Sequence, residues 1–140
     1  MMNSLKVAIV AGSKSDADYV KLAEEELASQ AVSYETFYLS AHRQPDEVAE
    51  FSRNAASSGF SVIIAMAGYA AALPGVVAAY TTLPVIGVPL DTSPLGGWDA
   101  LLSIVQMPKG VPVATMSVGR AGARNAACFC KRIMGICERG

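Results

Sequence analysis

The chain has 140 residues, a length that suggests one domain over 1–140 and suffices for a real core without disulfides or a structural metal. Apolar residues make up 52% and charged residues only 16%, below the ~25% usual in soluble domains, so part of the surface is expected to be covered by other subunits. A net charge of −1 with no dense basic stripe argues against nucleic-acid binding, and the apolar runs, broken by Gly or Pro, fall short of the ~20 residues that span a membrane.

Met1 to Lys6 lacks the apolar segment of a signal peptide, which with an odd number of cysteines points to a reducing, cytoplasmic setting. Cys128, Cys130 and Cys137 read as helix-packing residues, since zinc spacings are absent with one His in the chain.

Lys6–Ala11 (KVAIVA) is a short apolar, β-branched run that reads as a strand buried on both faces, ending at Gly12. From Asp16 to Gln30, Val20, Ala23 and Leu27 fall at helical spacing, opposite Lys21, Glu24, Glu25 and Glu26. Ser33–Leu39 is a second strand. Pro45 suits the first turn of a helix that runs to about Ser58 and stops at Gly59.

Ser61–Met66 (SVIIAM) is a third buried strand, followed by a turn at Gly68 and a small-residue helix from Leu73 to Tyr80. Pro84–Val88 gives a fourth strand and Asp91–Gly97 a loop. Trp98–Gln106 is helical, Val113–Val118 a fifth strand, and Ala121 to about Arg139 a final helix. Strands alternating with helices predict a parallel α/β sheet covered on both faces, with ligands bound beyond the carboxyl ends of the strands.

Four stretches follow the strands. In Gly12-Ser13-Lys14-Ser15-Asp16, backbone N–H groups and the serine hydroxyls can cradle a phosphate, and Asp16 can hold ribose hydroxyls. The same residues can equally be a plain helix cap. In Ser40-Ala41-His42-Arg43, His42 is suited to proton transfer near neutral pH and Arg43 offers a planar fork to a phosphate. A structural His42 remains the alternative. The small residues of Ala65 to Gly75 allow either close approach of a flat ligand or tight packing between subunits. The stretch from Asp91 to Asp99, followed by Ser103–Pro112, suits a pocket wall or a lid, with Trp98 as a core or interface anchor.

These motifs together resemble the class I N5-carboxyaminoimidazole ribonucleotide mutases of bacterial purine biosynthesis. The stretches that carry the likeness are GSKSD (Gly12–Asp16), SAHR (Ser40–Arg43), LPG (Leu73–Gly75), LPVIGVP (Leu83–Pro89), SIVQMPKGVPVAT (Ser103–Thr115) and Gly122–Ala127. The resemblance implies a flavodoxin-like three-layer α-β-α fold and a homo-octamer whose neighbouring subunits complete each site. It implies a small-molecule ribonucleotide substrate, with neither metal nor organic cofactor. It also implies His42 as general acid/base, Ser13, Asp16 and Arg43 as nucleotide-binding positions, and Ser40 and Gly68 as pocket positions. The reaction implied moves a carboxyl group from the exocyclic nitrogen of an aminoimidazole ribonucleotide to ring carbon C4.

Four residues depart from the family pattern. Members usually read AGAGGAAHLPG after the third strand; here Met66 and Tyr69 stand where glycines do, and Ala72 where a histidine does. Ala100 stands for a serine. The chain also stops at Gly140, short of the tail many members carry. The departures leave two alternatives beside the mutase: a paralogue acting on a related heterocycle, or a nucleotide-binding protein without catalysis.

Overall fold

The computed structural model describes residues 5–140. Met1 and the residues up to Ser4, part of the segment read above for a signal peptide, lie outside the described residues. Five strands form an all-parallel sheet in the order β2-β1-β3-β4-β5, the flavodoxin-like arrangement. In chain order the elements are β1 (Lys6–Ala11), α1 (Ala17–Ser29), β2 (Ser33–Tyr38), α2 (Pro45–Asn54), β3 (Val62–Ala67), α3 (Leu73–Tyr80), β4 (Val85–Pro89), α4 (Trp98–Val105), β5 (Ala114–Thr115) and α5 (Arg120–Arg139).

Two-residue alternation divides the core between the faces of the sheet. Val7, Ile9 and Ala11 of β1, with Ile64 and Met66 of β3, pack against Val20, Ala23 and Leu27 of α1 and Ala123, Ala126, Ala127 and Cys130 of α5. Ala8 and Val10, with Ile63, Ala65 and Ala67, face Val48 of α2, Leu73 and Val77 of α3, and Ala100 and Ile104 of α4. Strands covered on both faces must be apolar at every position, which is why β1, β3 and β4 read as unbroken runs. Burial pushes the Cys130 thiol up to about 12, as expected of a packing cysteine. Among the described residues no helix is long and apolar enough to cross a membrane.

Several boundaries differ from the sequence reading by one residue, and those of α2 and β5 by more. A 3-10 turn, Lys14–Asp16, precedes α1, so the α-helix begins one residue later than Asp16. Helix α2 ends at Asn54, and the chain continues in turns closed by Ser58 N–H on Asn54 O and Phe60 N–H on Ala55 O, with Gly59 at φ +94°.

The fifth strand shrinks to Ala114–Thr115. It is an edge strand preceded by Pro112, which has no N–H to give a ladder. Met116 N–H still reaches Gly87 O and Gly119 N–H reaches Pro89 O. Between these bonds the backbone turns aside, bringing the Ser117 carbonyl against Gly122 of α5.

Trp98 is not a core residue. It is 68% exposed, on an outward face of α4 shared with Leu102 and Val105.

Candidate active site

The sheet order reverses between β1 and β3, and the loops after β1, β2, β3 and β4 meet beyond that point. They enclose a cleft of about 610 Å³. Ser13, Asp16, Ser40, His42, Arg43 and Gly68 all line it, whereas of the fourth stretch, Asp91–Asp99 with Ser103–Pro112, only Thr92 does. Thr92, after β4, joins them. It was not singled out individually from the sequence; its signals there are its place in the Asp91–Asp99 loop and its position three residues after the end of β4.

His42 is exposed to the cleft in the middle of a tight turn. Arg43 N–H donates to Ser40 Oγ (3.2 Å), Gln44 N–H to Ser40 O (2.8 Å), and Ser40 N–H to Gln44 Oε1 (3.2 Å). These bonds fix the loop through its own polar groups, and none of them uses the imidazole. Ser40 thus holds the turn, and Arg43 is exposed beside His42 at the cleft wall.

The loop after β1 separates two roles that the sequence left open. Ser13 caps the 3-10 turn: its Oγ accepts from Ser15 N–H at 3.2 Å and lies 2.8 Å from Ser15 Oγ. Asp16 occupies the N-cap position of α1 but makes no side-chain cap bond. Its residue surface is only 6% exposed, and burial raises its carboxyl above the usual aspartate value, partly offset by the Ser13 backbone.

An acid whose folded pKa exceeds its unfolded value costs nothing below the unfolded value of 3.8. It destabilises the fold increasingly as pH rises through the folded value. Asp16→Asn is therefore expected to raise the melting temperature at pH 7 relative to wild type, with the gain vanishing near pH 3. Thermal melts across that pH range check it.

At the third loop, Gly68 faces Thr92 closely: a Cβ there would meet Thr92 Oγ1 at 2.1 Å. Tyr69 follows with φ +55°, a left-handed conformation that costs a bulky residue about 1–2 kcal/mol. Tyr69 and Ala72 both line the cleft. Met66 and Ala100 do not: they are fully buried on opposite faces of the sheet, so two of the four departures are core substitutions.

Outside the cleft, the Tyr19 hydroxyl donates to Asp91 Oδ1, tying α1 to the loop that carries Thr92. That hydrogen bond, then burial, holds the Tyr19 phenol above its ordinary value. Among the described residues no group of three or more His, Cys, Asp or Glu could hold a metal ion.

Three comparisons bear on this geometry. The family model described as AIR carboxylase matches residues 6–139. An N5-carboxyaminoimidazole ribonucleotide mutase of Vibrio parahaemolyticus is 52% identical over 94% of this chain and 81% of its own length. One from Saccharolobus solfataricus is also 52% identical, over 94% of this chain and 82% of its own. The crystal structure of Treponema denticola PurE superposes with a TM-score of 0.83 at 26% identity, covering 94% of this chain and 80% of that one.

Proposed function

The chain belongs to the AIR carboxylase family, and from that premise we propose that it is an isomerase converting N5-carboxyaminoimidazole ribonucleotide to the C4-carboxylated ribonucleotide of purine biosynthesis. One observation carries the reading to chemistry: His42 stands free in a hydrogen-bonded turn, in the same cleft as Arg43, Ser13 and Asp16.

The 5′-phosphate is placed on the β1–α1 turn and the Arg43 guanidinium, where backbone N–H groups and a fixed positive fork favour an anion. Asp16 accepts from the ribose hydroxyls, a use that repays its unfavourable burial.

The reaction then runs in two halves. The bond from the exocyclic nitrogen to the carboxyl carbon breaks, CO₂ leaves, and the electron pair stays on the nitrogen, which takes a proton from the His42 imidazolium. The electron-rich C4 next attacks the retained CO₂. The proton displaced from C4 returns to the His42 imidazole, so the histidine ends as it began. Holding CO₂ beside the ring makes the second half nearly intramolecular. No proton-transfer step calls for a metal or an organic cofactor.

The test uses the purified protein with two substrates in parallel, N5-carboxyaminoimidazole ribonucleotide and 5-aminoimidazole ribonucleotide with bicarbonate. Conversion of the first well above the spontaneous rate supports the mutase. Ala72 and Tyr69 in the cleft wall favour testing the second, and conversion of that substrate alone would make the protein a direct carboxylase. No product from either would overturn the reading.

We further place the enzyme, as one domain, in the cytoplasm as a homo-octamer whose neighbouring subunits complete the cleft. Free Cys128, Cys130 and Cys137 suit a reducing compartment. The apolar composition and the outward face of α4, with Trp98, Leu102 and Val105 at helical spacing, suit subunit contact. Trp98→Asp is expected to shift the mass measured by sedimentation to a smaller species. An unchanged mass would take this face out of the assembly.

A further inference from the structure

We propose, resting on the function above, that Tyr69 sets the specificity of the cleft by offering its ring as the surface on which the flat heterocycle of the substrate lies. The backbone holds Tyr69 at φ +55°, a conformation that glycine adopts freely and an aromatic residue does not. The residue is 59% exposed, although it belongs to the cleft wall. Among the described residues it has no aromatic neighbour, no cation over its ring and no hydrogen bond from its hydroxyl. Its neighbours Gly68, Ala70, Ala71 and Ala72 give it almost nothing to pack against.

A strained backbone and a wetted ring are both unfavourable in the free protein. Both lie at the rim of the cleft that holds His42. Strain of this kind persists where it positions a group for a ligand. A bound heterocycle would cover the ring and remove its apolar surface from water. Among the described residues of one subunit, Tyr69 and His42 are the only ring-bearing side chains in the cleft lining, and the proposed mechanism assigns His42 to proton transfer. Tyr69 is thus the group left to meet the face of the ring, as aromatic side chains meet bases elsewhere. The role belongs to the ring, not the hydroxyl, and it is a positioning role.

The test is calorimetric binding of 5-aminoimidazole ribonucleotide to the wild-type chain and to Tyr69→Phe, Tyr69→Leu and Tyr69→Gly, with melting temperatures measured alongside. Stacking predicts that Phe binds within about twofold of wild type, and that Leu and Gly bind roughly tenfold more weakly. Relief of the left-handed strain predicts that Gly melts no lower than wild type, so its loss of binding cannot be a loss of fold. Where turnover is measured, the loss should fall on KM and leave kcat nearly unchanged.

Unchanged affinity in Leu and Gly would overturn the proposal, as would a loss in Phe as large as in Leu, which would point to the hydroxyl. Lack of turnover by the wild type would overturn the mutase reading instead, and the affinities would still decide the part played by Tyr69.

Discussion

His42→Asn should abolish turnover, lowering kcat by about 10³-fold or more, while ribonucleotide binding stays within a few-fold of wild type. General acid/base groups contribute about 10²–10⁴-fold, and here one imidazole is asked to serve both halves of the reaction. Asparagine keeps a polar side chain of similar reach but cannot carry a proton between nitrogen and C4. The turn should survive the change, because its bonds run through the Ser40 hydroxyl and carbonyl, the Arg43 and Gln44 amides and the Gln44 side chain, none of them on the imidazole. Single-turnover kinetics and calorimetry on the same preparation separate the two effects. A variant that binds and still turns over at the wild-type rate would remove His42 from the mechanism, and one that no longer binds would make it a ligand-holding residue instead.

Gly122→Ala should destabilise the fold by about 4 kcal/mol or more, lowering the melting temperature by roughly 10 °C or more for a chain of this size. A Cβ at Gly122 would meet the Ser117 carbonyl oxygen at 1.7 Å and its carbon at 2.8 Å. Those are backbone atoms, held between the β4 contacts of Met116 and Gly119, so no side-chain rotation relieves the clash. Helix α5 would have to lift from a sheet face it covers with Ala123, Ala126 and Ala127.

Gly135, on the same helix, has nothing among the described residues within 4 Å of such a Cβ. Gly135→Ala should therefore stabilise by about 0.5–1 kcal/mol through helix propensity alone. The pair isolates close packing from helix propensity. Equal effects at the two sites would show that α5 does not seat as described.

Much of the fold was legible because β1, β3 and β4 are covered on both sides and leave unbroken apolar runs. The site was legible because Gly12–Asp16 and Ser40–Arg43 follow strands directly, and parallel strands bring such loops to one edge. Less legible was the outer edge. Val113–Val118 is apolar enough for a full strand, yet an unpaired margin and Pro112 leave only Ala114–Thr115 in the ladder.

The sequence also could not weigh the four departures from the family pattern equally well. Met66 lies in phase with Val62 and Ile64 along β3, so strand alternation sends it to the core on the α1–α5 side. Ala100 is likewise buried, on the sheet-facing side of α4. Only Tyr69 and Ala72, past the end of the strand where alternation no longer applies, reach the cleft. The division of labour between Ser13, which caps, and Asp16, which does not, depends on a 3-10 turn that residue types alone do not specify.

A structure determined with 5-aminoimidazole ribonucleotide bound is the most direct check on the whole account. It should show C4 or the exocyclic nitrogen within hydrogen-bonding reach of the His42 imidazole, about 2.6–3.2 Å, with the phosphate against the turn at Ser13 and the Arg43 side chain. A nucleotide seated elsewhere, or one bound in the cleft with His42 turned to solvent and far from its ring, would contradict it.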